Sequence, residues 1–147
     1  MKRRLTVLGI LLFLPLYAAA AATPVGLWRT IDDDSGKAKS IVRIYQDNGK
    51  LYGKVVKLLN RPPDDQNPKC TKCEGSRKGE PIKGMVIMWS MKKDGDVWDD
   101  GTILDPAKGE TYDCKIWLDK DKLKVRGYWG IFYRTQTWQP VSKADLQ

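Results

Sequence analysis

The feature that most constrains this chain is the distribution of its apolar residues: short, often alternating runs, each cut off by turn-forming residues. Eight such runs are Gly26–Thr30, Ser40–Gln46, Leu51–Leu59, Met85–Met91, Val97–Leu104, Glu110–Leu118, Leu123–Tyr128 and Phe132–Val141. Between them lie Asp33-Asp34-Ser35-Gly36, Asp47-Asn48-Gly49, Lys93-Asp94-Gly95-Asp96, Asp105-Pro106-Ala107-Lys108-Gly109 and Asp119-Lys120-Asp121. Asp, Asn and Gly at these junctions supply the positive φ and local side-chain bonding that hairpin turns need. In the sixth run Tyr112, Cys114, Ile116 and Leu118 share one face, and Asp113, Lys115, Trp117 and Asp119 share the other. Leu123 and Val125 likewise oppose Lys124 and Arg126. One apolar and one polar face per strand predicts an all-β antiparallel protein, and eight strands is the number for a small up-and-down barrel. Neither an internal repeat nor an amphipathic helix is evident after the N-terminal segment.

That N-terminal segment reads differently. Lys2, Arg3 and Arg4 precede an apolar stretch, Leu5 to Tyr17, and then the small residues Ala18 to Ala22. This is the pattern of a secretory signal cut after Ala22. A retained membrane helix is the competing reading, but the stretch is only about long enough to span a bilayer and Pro15 interrupts it. No cysteine adjoins the cut, which argues against a lipid anchor. The expected organisation is a signal at residues 1–22 and one domain at 23–147, with a long inserted loop at 60–84. The expected location is periplasmic or secreted, with a mature form that does not span the membrane. Removal of the signal leaves 23 basic against 18 acidic residues, so the net charge falls from +8 to +5. That modest excess suits contact with anionic envelope surfaces but is weak alone. No basic tract is dense enough to call for nucleic acid. The chain has no histidine, which excludes Ser-His-Asp and Cys-His nucleophilic sites and histidine-ligated zinc. Acid–base chemistry would fall to carboxylates, Lys or Tyr.

Asn60 to Gly84 breaks the strand rhythm with Pro62, Pro63, Pro68 and Pro81 and the pair Cys70-Thr71-Lys72-Cys73. Loops of this length are usually functional or disordered. Three readings of the pair compete. In an oxidising compartment it forms a short disulfide, which is the favoured reading. A redox dithiol would sit at a helix N-terminus, and no strong helix signal follows Cys73. A zinc site would need two further ligands, with only Cys114 and acidic side chains to supply them. Cys114 is the odd cysteine, and its alternation with Tyr112 and Ile116 reads as a buried thiol. Asp32-Asp33-Asp34, Asp94 with Asp96, and Asp99 with Asp100 lack the spacing of a calcium loop or a glycosidase pair and read as solvated turns. No cofactor and no metal is called for. Six tryptophans are spread over most of the runs. They suit a barrel core or an aromatic-lined pocket. Trp117 points away from the apolar face of its run and is the candidate for an outer binding surface.

Two resemblances sharpen this. Gly26-x-Trp28 near the start and Arg134 near the end resemble the elements with which lipocalin-like (calycin-type) barrels close their floor. The likeness implies that Arg134 stacks on Trp28 there, with Arg126 as a rival partner. The chain also resembles the domain-of-unknown-function 2147 family of exported bacterial proteins. The matching pieces include Gly26-x-Trp28, Lys39-Ser40-Ile41-Val42-Arg43-Ile44-Tyr45, Gly49-Lys50-Leu51-Tyr52-Gly53-Lys54-Val55, Cys70-x-x-Cys73, Gly101-x-Ile103-Leu104-Asp105-Pro106 and Arg134-Thr135-Gln136-Thr137-Trp138. The family implies an eight-stranded lipocalin-like barrel and no established activity or catalytic residue. The expected function is therefore a non-catalytic binding module for a small apolar ligand or a cell-envelope partner, with the Asn60–Gly84 loop as gate or contact element. A periplasmic redox protein using Cys70 and Cys73 is the alternative.

Overall fold

A computed structural model describes residues 22–147; the expected signal segment lies outside them except for Ala22. Eight strands follow in chain order: β1 Gly26–Ile31, β2 Ala38–Asp47, β3 Lys50–Leu58, β4 Val86–Asp94, β5 Val97–Asp105, β6 Glu110–Asp119, β7 Lys122–Trp129 and β8 Phe132–Pro140. Each run read from the sequence is a strand, with ends displaced by at most three residues. Every strand pairs antiparallel with its chain neighbour, and β8 returns to β1 to close the barrel. The closing seam is short, with only Trp28↔Pro140 and Arg29↔Gln139 in register. It is lengthened when the Val141 N–H donates to Leu27 O at 3.0 Å.

Up-and-down connection fixes which loops share an end. The β2–β3, β4–β5 and β6–β7 turns lie at one end together with the start of β1 and the end of β8. At the first of these turns Asn48 and Gly49 both take positive φ, 48° and 76°, the geometry that Asn-Gly favours in a two-residue hairpin. This end is packed solid. Trp28, Ile44, Leu51, Met91, Trp98, Ile116, Leu123 and Trp138 fill it as part of one buried cluster. The chain enters β1 across this floor, where the Trp28 indole N–H donates to Pro24 O at 2.7 Å. Gly26 makes that entry possible with φ 150°, a backbone geometry that side chains with a Cβ rarely adopt.

Close packing also explains Gly101. A Cβ there would strike the Met91 sulfur and lie 2.8 Å from Trp89 O. Gly101→Ala is expected to lower the unfolding free energy by about 1–3 kcal/mol through overpacking, as a shift of the urea midpoint.

The outward positions carry Arg43 opposite Lys54, Lys115 opposite Arg126, and Lys124. A barrel that spans a membrane needs an apolar outward band, which these charges interrupt. No helix among the described residues is long and apolar enough to cross a membrane.

Candidate functional site

The other end of the barrel is open. The β1–β2, β3–β4, β5–β6 and β7–β8 connections surround a cavity of about 1130 Å³ that descends to Trp138. Its walls include Val55, Ile82, Ile87, Ile103, Leu104 and Val125, and Gly127 leaves room in β7. Charged side chains crowd the rim, and the polar groups that bond to one another lie at two levels. Inside, Thr30 and Ser40 bond their hydroxyls to each other at 2.8 Å. At the lip, Asp33 accepts hydrogen bonds from Gln136 Nε2 at 2.7 Å and Arg134 at 3.3 Å. Gln136 in turn accepts from the Trp138 indole at 2.9 Å. A chain of contacts thus runs from the lip to the cavity floor. The alternation of β8 puts Arg134, Gln136 and Trp138 on one face, which is why three residues two apart can build it.

Tyr112 stands on the opposite wall and donates to Glu110 at 2.5 Å. That bond, together with partial burial and the Glu110 charge, pushes the phenol up to about 12. Tyr112 is therefore a neutral donor throughout the physiological range. Asp32 is held below the usual carboxylate range by the backbone N–H and hydroxyl of Ser35, aided by Lys39. The acidic triplet is a turn, with Asp32 bonded to Ser35 and Asp33 to β8. Among the described residues no three His, Cys, Asp or Glu side chains converge as a metal would require.

The long β3–β4 connection forms a wall of the cavity. Its outer half is braced locally, with Gln66 donating to the carbonyls of Arg61 and Pro62. Its inner half closes on itself, where Lys69 pairs with Pro81 and Cys70 N–H donates to Glu80 O. Its end is tied to β3, where Gly84 N–H donates to Val55 O and Val55 N–H to Met85 O. Cys70 and Cys73 form a disulfide whose residues are both buried. The clip rests on the β5–β6 turn: Cys70 Sγ lies 3.3 Å from Pro106 O, and a Cβ on Gly109 would collide with Lys72 O. Arg77 stacks over Trp89 at 4.2 Å. This anchored wall is the physical reason against the gate expected of the loop. It also speaks against a redox dithiol, because a reactive pair needs an accessible sulfur at a helix N-terminus and only a three-residue 3₁₀ turn, Gly75–Arg77, follows here. Replacing both cysteines by serine removes a closure of only a few residues and is expected to cost about 2 kcal/mol or less. Hydrogen exchange should rise within residues 69–84 while the strands stay protected.

The expected stacking of Arg134 on Trp28 is not formed. Arg134 lies six residues along β8 from Pro140, the residue opposite Trp28, or roughly 20 Å at the rise of a strand. Arg134 belongs to the lip and pairs with Asp33, while Trp28 closes the floor through Pro24. Arg126 does not take its place, since its guanidinium lies 5.0 Å from the Trp117 ring and 4.3 Å from the Tyr133 ring on the outer face. Trp117 does face outward, but Arg126 covers it and leaves it half-buried. A more exposed apolar group escaped the sequence reading. Trp129, Ile131, Phe132 and Tyr133, at the β7–β8 hairpin, are exposed by 49–90%. Their signal was available: four large apolar residues around a single turn glycine, where every other short hairpin is polar.

Cys114 is buried inside the barrel wall as the alternation predicts, and burial pushes its thiol far up. Below the unfolded-state pKa the thiol is protonated in both states and adds nothing to pH dependence. Above it, the unfolded chain gains by ionising and the folded chain does not. Stability should therefore fall by about 1.4 kcal/mol per pH unit from roughly pH 9 upward on account of this group. Cys114→Ala should remove that slope in denaturation series between neutral and alkaline pH.

The family model described as an uncharacterised protein conserved in bacteria (DUF2147) matches residues 26–140. The chain belongs to this family. The DUF2147 match covers all eight strands and the cavity. Among solved structures, HP1028 from Helicobacter pylori, described as belonging to the lipocalin family, aligns with a TM-score of 0.73 at 19% identity over 86% of this chain and 88% of that one. At that identity the likeness establishes the fold, an eight-stranded lipocalin-like barrel, and not the ligand. No curated protein matches the chain.

Proposed function

We propose that the protein is a non-catalytic carrier of a small, mainly apolar molecule, working outside the cytoplasm after loss of residues 1–22. The observation that carries this reading is the open cavity of about 1130 Å³ above a solid floor. A core built only for stability would have filled that space, because apolar voids cost stability. Its aliphatic walls suit the body of a ligand, and Arg134, Gln136 and Asp33 at the lip suit one polar end. Aliphatic walls between the strands with charged side chains gathered on the connecting loops suit a molecule with an apolar body and a polar end.

Native mass spectrometry of protein purified from the periplasm of its own host is the test. The expected spectrum shows a mature mass starting at Thr23, one intramolecular disulfide and a co-purifying small molecule that organic extraction removes. The extracted barrel should then take up N-phenylnaphthylamine with a rise in fluorescence. A barrel that is empty in every preparation and does not take up the dye would overturn the carrier reading. A cytoplasmic chain that retains residues 1–22 would overturn the location.

A further inference from the structure

The β7–β8 hairpin is built unlike the other short turns of the barrel. Those carry Asp47-Asn48-Gly49, Asp94-Gly95-Asp96 and Asp119-Lys120-Asp121, whereas this one carries Trp129-Gly130-Ile131-Phe132-Tyr133. Gly130 makes the turn with φ 60°, and Ile131 at the tip is 90% exposed. The aromatic rings are already arranged. Trp129 stacks on Phe132 with centroids 6.2 Å apart and meets the Tyr112 ring edge-on at 6.1 Å. Tyr133 packs against Tyr128 and beneath Arg126. Rings held in this way lose little further freedom on docking.

Charge at the same end is basic by a small excess, and the unpaired part of it is lysine. Seven basic and five acidic side chains line the cavity and its rim. Lys37, Lys69, Lys72 and Lys108 have no carboxylate within 4.0 Å among the described residues. The acids are mostly engaged: Asp32 and Asp105 face Lys39, and Asp33 faces Arg134. A flat surface laid across the mouth would meet the aromatic hairpin and the free lysines together.

We propose that this rim is a docking face for an anionic lipid bilayer, on which the barrel rests with its mouth toward the headgroups. Trp and Tyr favour the zone between headgroups and acyl chains. Ile131 and Phe132 supply apolar area to bury just beneath it, and unpaired lysines are drawn to anionic lipid. A second copy of the chain fits less well, because two such rims would bring the unpaired lysines face to face. The proposal does not depend on what the cavity holds. It would give an apolar ligand a path between bilayer and barrel without crossing open water.

Flotation of the mature protein with vesicles of phosphatidylethanolamine and phosphatidylglycerol, against vesicles of phosphatidylcholine alone, is the test. Binding should be at least about 10-fold stronger to the anionic vesicles and should weaken as salt rises. Ile131→Asp combined with Phe132→Ser should weaken it by at least about 10-fold. Both residues are exposed, so the melting curve serves to show that the variant is folded. Lys37→Glu with Lys108→Glu should also weaken binding, whereas Lys50→Glu at the closed end should not. Absence of binding to anionic vesicles overturns the proposal. So does equal binding by the folded Ile131/Phe132 variant, or an equal loss with Lys50→Glu. Self-association that the hairpin variant abolishes, without vesicle binding, would instead assign the face to a second copy.

Discussion

Trp138→Ala should lower the unfolding free energy by about 3–5 kcal/mol, as large aromatic truncations in well-packed interiors do, and the melting temperature by on the order of 15 °C. Trp138 is 2% exposed and stands in register with Leu123, between the packed floor and the open cavity. Truncation there removes a ring from the solid half and opens the cavity downward into it, where neighbours on closed strands have little freedom to collapse. The indole also donates to Gln136, which donates to Asp33, so the lip should loosen with it. Trp138→Phe separates the two effects. It keeps most of the packing and loses the bond, and its cost should stay near about 1 kcal/mol. Guanidinium titrations of the three proteins, followed by far-ultraviolet circular dichroism, measure both steps. Equal stability of Trp138→Ala and the parent would show that the floor is not packed as described.

What the sequence shows of the fold and the site depends on the range of each interaction. The strands were legible because alternation and turn chemistry are local: Tyr112, Cys114, Ile116 and Leu118 declare their face within one run, and Asn48-Gly49 declares its turn in two residues. Barrel closure was legible from strand number and family resemblance together. The site was less so. Arg134 is aimed at Asp33, 101 positions away, and nothing local distinguishes an arginine that stacks on the floor from one that bridges the lip. Only strand register decides, because it places Arg134 opposite Gly127 and six residues from Pro140. Composition does not show a cavity either. Val125 lines the cavity and Leu123 fills the floor, and the difference lies in where along β7 each stands. The cover of Trp117 by Arg126 likewise comes from the neighbouring strand and has no local signal. The exposed hairpin shows in sequence only as the gap between the runs ending at Tyr128 and starting at Phe132, without the acidic and amide residues that mark the other turns.

Filling the cavity from within should abolish dye and ligand binding while leaving the barrel folded, and Gly127→Trp is the substitution suited to it. Gly127 lies in β7 opposite Cys114 and Arg134, on a wall of the cavity. A Cβ at this position would meet Tyr112 at 3.5 Å and Ile103 at 3.9 Å, ordinary contacts that require no shift. Its backbone is not in the left-handed region, and tryptophan is at home in strands, so the unfolding free energy should stay within about 1 kcal/mol of the parent. The indole would occupy the space between the Ile103 and Val125 walls and displace a ligand of comparable size. Losing the burial of even a modest apolar ring weakens binding by on the order of 10- to 100-fold. Fluorescence titration with N-phenylnaphthylamine, beside a melting curve of the same protein, reads the two quantities separately. A folded Gly127→Trp barrel that binds the dye as the parent does would place the ligand outside the cavity. The exposed hairpin would then be the surface to test, because Trp129 is the one aromatic shared by the rim and the tip.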